Sequence, residues 1–260
     1  MKRDDFLKYL EEKWPLSYAM DWDNVGLLLG NRQGEIKKVL VALDVTDSVV
    51  EAAIKEEVDC LISHHPLIFS SLKQITEDDF IGRRILKLLR YDISYFAMHT
   101  NFDAVQMWKI NKESLGLNKT EILQVTGEDK NGESLGIGCF GAIEEMSLKD
   151  FAHQVKKNLQ IADVKVFGDL EKRVGLVGIS GGSGKSAIRP ALDKKLDVLV
   201  TGDIDHHSGI DALAQGLCII DAGHYGTEHK FVDYVKNNLE KAFPDLEIIG
   251  EKEANPFITI

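Results

Sequence analysis

Short apolar runs alternate with amphipathic stretches along nearly the whole chain, and that rhythm confines it to an α/β architecture with helices covering a parallel sheet. "KKVLVALDV" (37–45) reads as a buried strand and "DSVVEAAIKEEV" (47–58) as an amphipathic helix with Asp47 near its N-cap. "DCLISHH" (59–65) is the next strand. "EDDFIGRRILKLLRYD" (77–92) carries acids first and bases late, which suits the helix dipole. "ISYFAMH" (93–99) is a further strand, and "DAVQMWKINKESLG" (103–116) a helix closed by glycine.

The middle differs in texture. From about Glu121 to Gly141 the chain is polar and turn-rich, with "TGEDKNGES" at its centre, before "IGCFGAI" resumes an apolar run. "SLKDFAHQVKKNLQ" (147–160) reads as a helix whose Ser147 and Asp150 open it much as a capping box does. "ADVKVFG" (162–168) and "RVGLVGIS" (173–180) read as strands, after which "KLDVLVTG" (195–202) and the segment to Phe243 restore the strand–helix rhythm. The expectation is a discontinuous α/β domain, residues 1–125 plus 190–260, holding a smaller central α+β subdomain over 126–189.

A formal net charge of -11 disfavours a nucleic-acid binder that works by neutralising phosphates. The charged opening "MKRDDFLKYLEEKW" lacks the apolar core of a secretory signal, and no uncharged apolar stretch nears the roughly 18 residues of a membrane span. Cys60, Cys139 and Cys218 are far apart and form no CxxC pair, the sparse usage expected in a reducing cytoplasm. "GISGGSGKS" (178–186) imitates a phosphate-binding loop, but G-x-x-x-x-G-K-[ST] ending at Gly184 needs its first glycine at 179, where Ile179 stands. The run is better read as a glycine-rich strand-to-helix turn.

Chemistry concentrates in the histidines. His64 and His65 close one strand, His99 closes the next, and Asp103 follows four residues later. His206 and His207 come after the strand ending at 202, while His224 and Glu228 come after the strand 217–221. In a parallel sheet these are carboxyl ends of strands, where α/β proteins bind ligands. Imidazole with carboxylate is a donor set for zinc, iron or manganese, and the scarcity of thiolate argues against a structural zinc site. Neighbouring side chains on a strand diverge, so His64 and His65 suit two ions better than one, with Pro66 ending the strand behind them. Paired ions about 3.5–4 Å apart are a recurrent hydrolytic device. His64, His65, Asp103, His224 and Glu228 rank first as ligands. His99 suits a ligand, an outer hydrogen-bond donor or a proton carrier. His206 and His207 suit a cleft wall or a catalytic role, and Asp150, His153 and His229 read as solvated helix faces.

"DWDNVGLLLG", "LISHHPLIF", "MHTNFDAV", "TGDIDHH" and "DAGHYGTE", in that order, resemble the NIF3-like family, whose members are often named GTP cyclohydrolase 1 type 2 homologues. The resemblance spans nearly the whole chain. It implies two divalent metal ions held by His64, His65, Asp103, His224 and Glu228, in a homohexamer. Read with such a site, the chain is expected to be a metal-dependent hydrolase in which activated water attacks a small-molecule substrate such as a nucleotide, with His99, His206 or His207 moving protons. The alternative is a non-enzymatic metal-binding or regulatory scaffold.

Overall fold

The computed structural model describes residues 1–251 and 255–260. The chain divides into two units, Met1–Phe102 with Lys230–Ala254, and Asp103–His229 with Asn255–Ile260. No helix among the described residues is long and apolar enough to cross a membrane.

The first unit is built on a five-stranded sheet. Its strands are β1 (Gly26–Leu29), β2 (Lys38–Ala42), β3 (Cys60–Ser63), β4 (Ser94–Ala97) and, from the returning segment, β11 (Glu247–Gly250). They lie in the order β1-β4-β3-β2-β11, and only β1 runs antiparallel to its neighbour. Its helices are α1 (Arg3–Lys13), α2 (Asp47–Lys55), α3 (Phe80–Arg90), the single turn α4 (Thr100–Phe102) and α10 (Lys230–Ala242). Thr46 is the N-cap of α2, its hydroxyl accepting from the Val49 amide, with Asp47 next to it in the first turn as expected. Asp79 caps α3 in the same way. Leu40, Leu61 and Tyr95 on the sheet pack with Val49, Val50, Ile85 and Leu88 from α2 and α3. Each fully buried aliphatic side chain contributes about 1.5–3 kcal/mol.

The second unit carries six strands in the order β5-β6-β8-β9-β10-β7. These are β5 (Asn118–Glu128), β6 (Ser134–Ser147), β7 (Lys165–Phe167), β8 (Arg173–Ser183), β9 (Val198–Gly202) and β10 (Cys218–Asp221). β8, β9 and β10 are parallel, and the remaining pairs antiparallel. Its helices are α5 (Trp108–Leu115), α6 (Leu148–Leu159), α7 (Ile188–Asp193), α8 (His206–Ala214) and α9 (His224–Glu228). Both faces of the sheet are covered. Val198 and Val200 face the core formed with Phe151 and Val155 of α6, while Leu199 between them faces Ala191 of α7 and Ala212 of α8.

The mixed α/β class is the one the rhythm predicts, but the units part at other residues than 126 and 189. β9 and β10 pair with β8, so the central unit runs from Asp103 to His229 and holds the larger sheet. An apolar run identifies a strand, not the sheet it joins. The polar stretch after Glu121 is also strand rather than loop. β5 and β6 form a long hairpin whose tip is only the turn around Asp129–Glu133, and the polar residues lie along the half-exposed edge strand β5.

Candidate metal centre

In the first unit, Ala42, Ser63 and Ala97 are register partners across β2, β3 and β4, so the residues just beyond them gather at one sheet edge. His64 and His65 follow β3 and His99 follows β4. The amides of His64 and His65 donate to the carbonyls of Ala42 and Leu43, at 3.3 and 3.0 Å. Consecutive amides in a regular strand point to opposite sides, so the backbone has already left strand geometry at the histidine pair. The two rings consequently approach to 5.0 Å instead of diverging across the sheet. The Ser63 hydroxyl donates to the His65 carbonyl at 2.7 Å, and the buried Tyr95 hydroxyl accepts from the Leu67 amide at 2.8 Å. Both anchor the turn from beneath.

Each imidazole of this group is oriented through Nδ1. The buried His64 donates to the Met98 carbonyl at 2.8 Å. A carbonyl only accepts, so Nδ1 bears the hydrogen and Nε2 keeps its lone pair. His65 Nδ1 pairs with Asp44 Oδ1 at 2.8 Å, and His99 Nδ1 with Asp23 Oδ1 at 2.9 Å. Burial acts to raise the Asp23 carboxyl, but hydrogen bonds from His99 and Thr100 outweigh it and hold it down to about 2. Asp23 therefore stays ionised as an acceptor for His99. One donor atom from each of His64, His65 and His99 lies within 4.8 Å of the other two.

In the second unit, His224 and Glu228 sit one turn apart on α9, with His224 Nε2 3.2 Å from Glu228 Oε2. His224 Nδ1 pairs with Asp203 Oδ2 at 2.7 Å, and Asp203 follows β9 in a left-handed conformation, φ 56°. The Glu228 side chain is almost wholly buried. Beside it, the Gly182 amide donates to the Thr227 hydroxyl at 3.0 Å. A Cβ on Gly182 would stand 2.6 Å from Glu228 Oε1 and 3.2 Å from His224 Nε2, and Gly182 also has φ +64°. The glycine-rich run at 178–186 is thus mostly strand β8, and at Gly182 the missing side chain makes room for a carboxylate. Asp103 opens a π-helical turn, Asp103–Met107, a distortion frequent at functional sites.

His206 and His207 are exposed on the first turn of α8, their rings 5.3 Å apart, behind the N-cap Asp205. His153 is exposed as expected, and Asp150 completes the Ser147 cap of α6. His229 differs from a solvated helix face: half-buried, it stacks on Tyr225 at 5.1 Å and donates from Nε2 to the Leu159 carbonyl. The residues missed from sequence are the orienting carboxylates Asp23, Asp44 and Asp203, and the Tyr95 hydroxyl. Asp44 and Asp203 each follow a strand end closely, a signal available in the sequence. Three histidines with a carboxylate at Nδ1 and one with a carbonyl form the outer shell that ligating imidazoles use, so these side chains fit a divalent cation.

Fold and side chains define a two-sheet α/β protein with metal-type donors at the carboxyl ends of its strands. A family model described as Duf34/NIF3 (NGG1p interacting factor 3) matches residues 1–256, and the chain belongs to that family. It is similar to the "GTP cyclohydrolase 1 type 2 homolog" of Lactococcus lactis, 34% identical over 266 residues with all of both chains covered. The protein of that name from Clostridium acetobutylicum is 32% identical, covering 95% of this chain and 93% of its own. Among solved structures, a Bacillus cereus protein related to NIF3 has TM-score 0.91 at 26% identity, covering 100% of this chain and 99% of its own. Reduced HcgD from Methanocaldococcus jannaschii has TM-score 0.82 at 31% identity, covering 96% and 97%.

Proposed function

We propose that this protein holds two divalent cations, zinc, iron or manganese, through His64, His65, Asp103, His224 and Glu228, and is a metal-dependent hydrolase of a small molecule. The observation that carries the reading is that each of the three imidazoles in this set is aimed by a hydrogen bond from Nδ1 to a fixed acceptor, the arrangement that orients ligating imidazoles. Bound cations would supply Lewis acidity and lower the pKa of water toward neutrality. The chain's own part is orientation. Asp44 and Asp203 fix the rings of His65 and His224, and Asp23 holds a proton on His99 Nδ1, leaving Nε2 to accept or return one during hydrolysis. His206 and His207 are assigned to proton exchange with substrate or to the wall beside it. The name shared by the Lactococcus and Clostridium relatives makes GTP the first nucleotide to assay, by formate release. We further propose a cytoplasmic homohexamer, whose subunit number native mass spectrometry tests and whose compartment cell fractionation tests.

Elemental analysis of the purified full chain is expected to give about two divalent ions per subunit. His64→Ala and Glu228→Gln should each reduce that content sharply while circular dichroism stays unchanged. Full metal content in both variants would overturn the ligand set. A filled metal site with no formate release from GTP under any metal would discard the GTP cyclohydrolase assignment and leave the hydrolase class standing, whereas a filled site inactive across a broad screen of small-molecule esters, amides and nucleotides would leave a metal-binding scaffold.

A further inference from the structure

Beside His99 the first unit exposes two large aromatic side chains, Trp22 at 57% and Phe69 at 56% exposure. Their ring centroids are 5.8 Å apart and inclined at 49°. The His99 ring lies edge-on to both, 5.9 Å from Trp22 and 6.4 Å from Phe69. The three inclined rings form a corner in which Trp22 and Phe69 are exposed and His99, behind them, is mostly covered. Its backbone is fixed on both sides. Asp23, next to Trp22, accepts from His99 Nδ1 and from the amide and hydroxyl of Thr100. Asn24 Nδ2 donates to the Ile68 carbonyl, immediately before Phe69, at 2.6 Å. Large exposed apolar rings lose the stabilisation of burial, so two of them in contact on the surface mark a candidate binding site. The Asp23 carboxylate that orients His99 thus belongs to the segment that carries Trp22, and Asn24 ties that segment to the one that carries Phe69.

We infer that Trp22 and Phe69 form a stacking site for a planar heteroaromatic ring, placing the flat part of the substrate against His99. The inference rests on the hydrolase reading for the role of His99, and it names the substrate class that reading leaves open. An indole face next to a phenyl ring reads the π-face of its ligand rather than its hydrogen-bonding edge, so it accepts purines of either kind and rejects molecules lacking a flat ring.

Calorimetric titration of the full chain, metal-loaded and after chelation, with guanosine 5′-monophosphate, adenosine 5′-monophosphate and ribose 5-phosphate tests this. Both nucleotides should bind, with ribose 5-phosphate at least about tenfold weaker. Trp22→Ala should weaken both nucleotides about tenfold without changing metal content or the affinity for ribose 5-phosphate. Trp22→Phe should restore most of the loss, and Phe69→Ala should give a smaller one. Ribose 5-phosphate binding as tightly as the nucleotides, or nucleotide affinity unmoved by Trp22→Ala, would overturn the inference. So would a change in oligomeric mass as the sole effect of Trp22→Ala, since the rings would then be a contact between copies. Metal bound without nucleotide binding sinks the stacking site alone. Nucleotide binding that depends on Trp22 in a chain that purifies without metal sinks the hydrolase reading alone.

Discussion

The two units prepare metal-type donors by different physical means. The first lines up parallel strand ends, so that His64, His65 and His99 meet because β3 and β4 stop in register. Its three donors are imidazoles, and its carboxylates, Asp23 and Asp44, stand behind them. The second places His224 and Glu228 on one helical turn and presses that turn against the glycines of β8. Its donors include carboxylates. Neutral rings need an acceptor at Nδ1 to be aimed, whereas a buried carboxylate needs space and no competing side chain. Orientation governs the first set and clearance the second.

That contrast breaks most readily at Gly182. Gly182→Ala puts a methyl group within 2.6 Å of Glu228 Oε1 at a left-handed backbone position. We expect about 1–3 kcal/mol of lost stability in urea unfolding and loss of metal from the second unit's donors, read by elemental analysis. An unchanged variant would show that clearance matters less than the geometry indicates. Next in size are Asp44→Asn and Asp203→Asn, one in each unit. Each should lower metal affinity about 10–100-fold by loosening one imidazole, with folding retained, as measured by competition against a chelator. If only Asp44→Asn has an effect, aiming through Nδ1 belongs to the first unit alone.

The smallest expected effect is an absence of labelling. Burial pushes the thiols of Cys60, in the first unit, and Cys139, in the second, up to about 12. A raised thiol pKa keeps the unreactive protonated form below that pH, so iodoacetamide should label neither residue between pH 7 and 9 in the folded protein. In a urea series each cysteine then reports the unfolding of its own unit, by mass spectrometry of labelled peptides. Labelling of Cys60 in native protein would contradict the packing of β3.

Much of this site is written in local sequence. The strand–helix rhythm, the Ser147 cap and the positions of six histidines after strand ends depend on residues only a few places apart, and such patterns survive without knowing what packs where. Tertiary structure alone decided that β9 and β10 belong with β8, because a buried parallel strand looks the same whichever sheet receives it. It also decided that His64, His65, His99 and His224 are each aimed through Nδ1. Asp23 lies 76 residues from His99, and Asp44 and Asp203 each lie 21 from the ring they hold. Those hydrogen bonds form only when chain folding closes the intervening loops, so no local pattern contains them.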